Sequence, residues 1–213
     1  MSCTFDLEHY REILEAAYAG GYRFAQFGAG PEQGDLFLRH DIDLSLEAAV
    51  TMAELETEVG VRATYLVMTE SVFYNLASAE GVSAIARLRE LGHAVGLHAV
   101  RPNVTLDERF DPVISWHNPR PEYISEEIPG AINTYGERYF SPQTYRSDSN
   151  QHWRAGCPHE ELRAGVFPWL QILVHPAIWA YPGATMGQTM RAMVAAESTR
   201  RIAQLAEDGI DLD

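Results

Sequence analysis

Carboxylates and imidazoles follow several apolar segments of this sequence, at the point where each segment ends. The apolar run 36–38 leads almost directly to Asp41 and Asp43. Further apolar segments end in the same way, at His98, His117, Asp148 and His175. Neutral imidazoles and carboxylates together are ligands for Zn²⁺ and other divalent transition metals. If the segment ends meet in space, these residue types predict one metal site.

The spacing of Asp41 and Asp43 is typical of two side chains that act together. Side chains alternate along an extended chain, so residues i and i+2 point to the same side. We therefore expect one carboxylate on the metal and the other free as a base. In the competing interpretation, Asp43 only caps the helix that starts near Ser45 and Asp41 only pairs with Arg39.

The segments that must position these residues alternate between strands and helices. Strands are predicted at 35–43, 61–68, 94–98, 112–117, 143–148 and 169–176. Helices are predicted at 6–20, 45–60, 83–93, 158–165 and 187–209, several with a polar cap and a closing glycine. This alternation predicts an α/β fold with a mainly parallel sheet, open or closed into a barrel. In such folds the carboxyl ends of the strands form the rim of the active site.

Composition narrows the classes of protein. With 213 residues, of which 46% are hydrophobic, the chain suits a single domain over residues 1–213. Its net charge of -14 makes nucleic acid and anionic membrane poor partners. All 16 basic residues are Arg, which excludes lysine Schiff-base chemistry and a P-loop lysine.

The first residues of the chain and its cysteines do not have the patterns typical of secreted proteins. The first 14 residues lack the pattern of a signal peptide, and no apolar run is long enough to span a membrane. We therefore expect a cytoplasmic location. Cys3 and Cys157 are the only cysteines and predict neither a metal-type cysteine cluster nor a disulfide framework.

Five short motifs resemble, in order, those of the NodB-type polysaccharide deacetylases (carbohydrate esterase family 4). They are LRHDID, GHAVGLH, SWHNP, YRSDSNQHW and LQILVHP, and they extend from about Leu36 to Trp179. The first motif is similar to that of a divergent HDxD branch. The resemblance implies a distorted, incomplete (β/α) barrel that binds one divalent metal ion, with Zn²⁺ favoured. It also implies removal of an acetyl group from an N-acetylated sugar.

The resemblance assigns roles residue by residue. Asp41 falls on the base of the family and Asp43 on its metal-binding Asp, although here one residue separates the two. His98 falls on the first metal-binding His, and Asp148 and Trp153 fall on the Asp and Trp of the fourth motif. His175 falls on the His that acts as acid, with Asp148 holding its tautomer.

The second metal-binding His of the family is missing, because Pro102 stands at its position. Either His117 or His175 replaces it, or the site binds metal weakly or not at all. We favour His117, because His175 then keeps its role as acid. The predicted metal ligands are therefore Asp43, His98 and His117.

Aromatic and cationic residues next to these motifs suggest substrate contacts. Aromatic faces stack on sugar rings, although a buried Trp is also ordinary core material. The predicted substrate-binding residues are Trp116, Arg146, Trp153 and Trp179. The other histidines are expected to be structural: His40 points away from Asp41, His9 lies on a polar helix face, His93 ends a helix, and His152 and His159 lie in surface loops.

The sequence thus predicts a cytoplasmic, metal-dependent deacetylase of a small-molecule or glycan substrate. Asp41 would deprotonate water, and His175 would protonate the leaving amine or alcohol. Two alternatives remain open. One is a catalytically degenerate barrel that binds saccharide or acts as a scaffold, which Pro102 favours. The other is a metal-dependent hydrolase of a different bond, such as a cyclic amide.

Overall fold

A computed structural model describes residues 3–102, 104–122 and 124–211. The strands are β1 (Arg23–Phe24), β2 (Asp35–Ile42), β3 (Thr64–Val67), β4 (Ala94–Ala99), β5 (Val113–Trp116), β6 (Ile132–Asn133), β7 (Tyr145–Ser147) and β8 (Leu170–Val174). The helices are α1 (Leu7–Ala19), α2 (Leu46–Val59), α3 (Ala79–Glu90), α4 (His159–Arg163), α5 (Pro176–Ala180) and α6 (Met186–Glu207). Every long predicted element is present.

The described strands form one curled parallel sheet in the order β6-β5-β4-β3-β2-β8-β7, flanked by helices. The short β1 pairs with the first residues of β2, while β3 pairs with its last residues. The predicted α/β fold with a parallel sheet is therefore confirmed, and the sheet has the form of an incomplete barrel. Among the described residues, no helix combines the length and apolar character needed to cross a bilayer.

Strand β2 shows how the sequence builds the two faces of this sheet. All eight of its residues are buried, as is usual for a parallel strand covered on both sides. Leu36, Leu38 and Ile42 pack in the core between the sheet and the helices. Phe37 packs in a second cluster on the opposite face. Arg39 and Asp41 alternate along the strand with the core residues Leu38 and Ile42, so they lie on the same face of the sheet as Phe37.

Several local predictions need correction. Helix α3 begins at Ala79, four residues before the predicted start, because the Ser78 side chain accepts a hydrogen bond from the Gly81 amide and caps it. The two-residue strands β1 and β6 and the five-residue helix α5 were not predicted, since segments this short carry no periodicity. Between β4 and β5 the described residues contain no crossover helix, as the polar sequence indicated.

A buried polar network lies on the helical side of the sheet, around Glu56. Its Oε1 accepts hydrogen bonds from Tyr10 (2.5 Å) and His40 (2.7 Å), and its Oε2 accepts one from Tyr65 (2.8 Å). The prediction that His40 points away from Asp41 is confirmed. His93 also lies here, with its Nδ1 3.6 Å from Glu56, and burial lowers its pKa. His93 follows the end of α3, as predicted, but it belongs to this buried network.

Replacement of Glu56 by Gln should lower the free energy of unfolding by about 1–3 kcal/mol. The amide replaces one of the two accepting oxygens by an NH₂ group, which is itself a donor and cannot accept from the surrounding donors. Urea denaturation would measure the change. Glu58→Gln is the matched control on the same helix, since the Glu58 carboxylate is exposed and pairs with Arg11 at the surface. Equal stability of the two variants would contradict the role of the network.

The same carboxylate should make the fold sensitive to acid. Burial acts to raise the pKa of Glu56, but the charge and hydrogen bond of His40 outweigh it and lower the pKa below the ordinary value. A lowered pKa in the folded state stabilises the fold above the unfolded pKa, and this contribution is lost as the pH falls through the folded value. The loss should be visible in wild type and absent in Glu56→Gln.

Candidate metal centre and active site

The predicted site residues converge at the carboxyl ends of the strands. Asp41 belongs to β2 and His98 to β4. The other four each directly follow the last residue of a strand: Asp43, His117, Asp148 and His175. A cavity of about 660 Å³ opens at this edge of the sheet. Asp41, Asp43, His98, His117 and His175 all line it. Parallel strands bring their ends to one side of the sheet, which explains why the convergence could be predicted.

Three ligand atoms form a compact triangle at the mouth of β2, β4 and β5. His98 Nε2 lies 3.1 Å from Asp43 Oδ1 and 3.3 Å from His117 Nδ1, and His117 Nδ1 lies 3.2 Å from Asp43 Oδ1. Tetrahedral ligands on metal bonds of about 2.0–2.1 Å are separated by about 3.3 Å. The triangle therefore has the dimensions of three protein ligands on one metal ion. His117, rather than His175, is the residue grouped with Asp43 and His98.

The hydrogen bonds behind His98 fix which of its nitrogens carries the proton. His98 Nδ1 lies 2.6 Å from Ser115 Oγ, and the Ser115 hydroxyl donates to Asp41 Oδ1 at 3.0 Å. Because the only proton of Ser115 goes to the carboxylate, its oxygen must accept a proton from His98 Nδ1. Nε2 is then the nitrogen that faces Asp43 Oδ1 at 3.1 Å, where it donates a hydrogen bond when protonated and can offer its lone pair to a metal ion when deprotonated.

The charges in this triangle favour an anionic carboxylate. Burial acts to raise the pKa of Asp43, but hydrogen bonds from His117 and His98 lower it well below the ordinary value. The bond to Asp43 in turn raises the pKa of His117 above its ordinary value, against the effect of burial. A bound metal ion would replace the proton on His117, so metal binding is expected to release it.

Asp41 is almost fully buried and is held by a charged neighbour. Its carboxylate receives Arg39 Nε at 3.0 Å on one oxygen and an Arg39 terminal nitrogen at 2.9 Å on the other. Both side chains are almost fully buried. Burial acts to raise the pKa of Asp41, but the charges of Arg39 and His98 outweigh it, and the pKa is lowered. Asp41 therefore forms an ion pair with Arg39 and also lines the cavity.

His175 and Asp148 form a second unit beside the triangle. His175 Nδ1 lies 2.5 Å from Asp148 Oδ1, and its Nε2 lies 3.9 Å from Asp43 Oδ2. The fully buried Asp148 also accepts from the His175 amide and, at 2.7 Å, from the Trp179 indole. Burial acts to lower the pKa of His175, but the charge and hydrogen bond of Asp148 raise it to about 9. His175 is thus protonated at neutral pH.

The predicted substrate-binding residues separate into two groups. Trp116, Arg146 and Trp153 line the cavity, although all three side chains are largely buried and Arg146 is bound to Glu161. Trp179 is not part of the cavity wall. It is buried in the core and uses its indole N–H to hold Asp148, so its predicted contact with substrate is replaced by a supporting role.

Two residues that support the site were not predicted. Ser115 pairs directly with His98 in the register of β4 and β5. Gln171 accepts from Arg39 at 2.9 Å and donates to the Thr134 carbonyl, also inside the barrel. Each is a single polar residue within an otherwise apolar strand, and a polar residue on a buried face needs a partner. That was the available signal in the sequence.

No protein-family model, characterised protein or solved structure matches this chain. The geometry defines an α/β protein with an incomplete parallel barrel and a possible metal-binding group at the carboxyl ends of its strands. Kinship with the deacetylases rests on the motifs and stays a prediction.

Proposed function

We propose that this chain is a metal-dependent hydrolase that removes an acyl group from an N-acetylated sugar or sugar intermediate. The observation that carries the proposal is the triangle of Asp43, His98 and His117, with the protonated Nε2 of His175 beside it. The wide cavity, with Trp116 and Tyr135 in its wall, suits a ring-shaped substrate. The five motifs that resemble the deacetylases supply the choice of acyl group and sugar.

Each residue has a distinct role in the proposed reaction. Asp43, His98 and His117 would hold one divalent ion, of which Zn²⁺ is the best match for this mixed donor set. A metal ion bound there supplies Lewis acidity toward water and the acyl carbonyl. Asp41 accepts the proton of the attacking water. His175 donates its Nε2 proton to the leaving amine nitrogen, and Asp148 stabilises the imidazolium until then.

A screen for acetate release would test this function. Protein loaded with Zn²⁺ would be incubated with N-acetylated amino sugars, and with their nucleotide-linked and lipid-linked forms. Release of acetate, abolished by a chelator and restored by added Zn²⁺, is the expected result. Metal-loaded protein that is inert toward all of these substrates would contradict the proposal.

The second candidate function is a catalytically degenerate barrel that binds saccharide without cleaving it. Its support is the environment of Asp41, where both oxygens already receive hydrogen bonds from Arg39 and little of the side chain reaches the cavity. Saccharide binding by calorimetry, without acetate release from the same ligand, would favour this candidate over the enzyme.

The ligand set itself is testable without any substrate. His98→Ala should lose about one equivalent of metal per chain, since one of three protein ligands is removed. Metal analysis after dialysis measures the loss. His152→Ala is the matched control, because His152 is exposed and is not one of the three grouped ligands. Full retention of metal by His98→Ala would exclude this ligand set.

A further inference from the structure

The two cysteines meet on the outer side of the barrel, away from the cavity. Cys3 precedes α1, and Cys157 precedes α4. Their sulfur atoms and one ring nitrogen of His9 all lie within 4.8 Å of one another. His9 Nε2 lies 3.3 Å from Cys157 Sγ. The spacing of the two cysteines did not indicate this grouping, because it arises where packing of α1 against α4 unites residues from opposite ends of the chain.

His9 is held in the manner of a metal-binding histidine. Its Nδ1 lies 2.9 Å from Glu12 Oε2, one turn further along α1. The carboxylate can only accept, so Nδ1 carries a proton and Nε2 is the nitrogen that faces Cys157. Metal-bound histidines almost always donate their other N–H to a carboxylate, carbonyl or water, which orients the ring. His9 has this arrangement, although it was predicted to lie on the polar face of its helix.

Neighbouring side chains shield His9 from solvent. Its side chain is largely buried, and its ring centroid lies 6.5 Å from that of Trp179 and 5.5 Å from that of His159. His159 was expected in a surface loop but is also buried. A buried imidazole beside two thiols is a usual component of a thiolate metal site.

The distances match a soft-ligand site. Bonds of about 2.3 Å to sulfur and 2.0–2.1 Å to nitrogen place tetrahedral S and N ligands about 3.6 Å apart and two S ligands about 3.8 Å apart. The separation of 3.3 Å between His9 and Cys157 needs only a small expansion. A fourth position would fall to water or to His159, which with His9 and Glu12 forms an overlapping group of potential ligands.

We propose that Cys3, His9 and Cys157 form a second metal site, which takes Zn²⁺ or a similar thiolate-binding ion. The site would connect the segment before α1 to the loop before α4. It shares no residue with the triangle at the cavity, so it stands independently of the proposed function. Its effect is to fasten the N-terminal segment to the barrel and so to stabilise the packing of α1.

Cobalt substitution would test this site separately from the one in the cavity. Thiolate ligands give Co²⁺ a charge-transfer absorption in the near ultraviolet, and the triangle at the cavity contains no sulfur. Reduced wild-type protein with Co²⁺ alone should show this absorption. Cys3→Ala, Cys157→Ser and His9→Gln should each lose it together with about one equivalent of Co²⁺.

Two further variants act as controls. His98→Ala should keep the thiolate absorption while it loses the other equivalent of Co²⁺. His152→Gln, an exposed histidine in the loop near Cys157, should behave as wild type. Cys3→Ala changes the other cysteine, in the segment before α1, so it keeps the test valid if Cys157→Ser does not fold.

Reduced wild-type protein that shows no thiolate absorption at saturating Co²⁺ would overturn the proposal. If that protein also forms a Cys3–Cys157 disulfide rapidly in air, the cluster is a thiol pair rather than a metal site. Failure of the acetate screen with the absorption present would leave this site standing while the proposed function falls.

Discussion

Replacement of His175 by Ala should slow acetate release by about 10²- to 10⁴-fold while metal content stays unchanged. The imidazole lies outside the triangle of ligand atoms, with Nε2 at 3.9 Å from Asp43, so its loss removes no predicted ligand. Asp148 holds His175 protonated, with its pKa at about 9, so that the variant lacks the proton donor for the leaving amine. Steady-state kinetics and metal analysis of the same preparation would measure both effects.

The choice of substrate separates an acid from any other role of His175. An activated aryl acetate has a leaving group that needs no proton, so His175→Ala should hydrolyse it nearly as fast as wild type. An equal loss of rate on the aryl ester and the N-acetyl sugar would exclude the acid role. Loss of metal in His175→Ala would instead make His175 the replacement for the ligand missing at Pro102.

The part of the site that the sequence predicted is the part that the parallel sheet dictates. Once strands are assigned, their carboxyl ends must lie along one edge, so Asp43, His98 and His117 were expected together. Alternation along β2 likewise separated His40 from Asp41. These inferences need only the period of the strand and the direction of the sheet, both of which are local properties of the sequence.

Contacts between elements distant in sequence escaped the same reasoning. The meeting of His9 with Cys157 depends on how α1 rests against α4, and helix rotation is not fixed by the strand period. The carboxylate of Glu56 looked like any polar helix residue, yet the face of α2 that carries it is buried against three donors. The predicted contact of Trp179 with substrate rests on its position next to a motif, whereas the direction in which its side chain packs depends on helix α5, which was not predicted.

Replacement of Asp41 by Asn should cost about 3–5 kcal/mol of folding free energy, far more than for a surface ion pair, because it leaves the buried charge of Arg39 uncompensated. Arg39 has no solvent exposure, and both of its bonds to Asp41 are 3.0 Å or shorter. If Asp41 is also the base, acetate release should fall by about 10²- to 10⁴-fold at a temperature where the variant is folded. Urea denaturation and kinetics would measure the two effects separately.

The double variant Arg39→Met/Asp41→Asn separates structure from chemistry, because it removes both charges together. A buried ion pair replaced by apolar groups is often neutral in stability, so the double variant should recover much of the stability lost by Asp41→Asn alone. Its turnover should stay low, since the base is still missing. Recovery of turnover along with stability would show that Asp41 acts only by holding Arg39, Ser115 and His98 in place. The carboxylate would then be a positioning residue, and the water at the site would need no protein base.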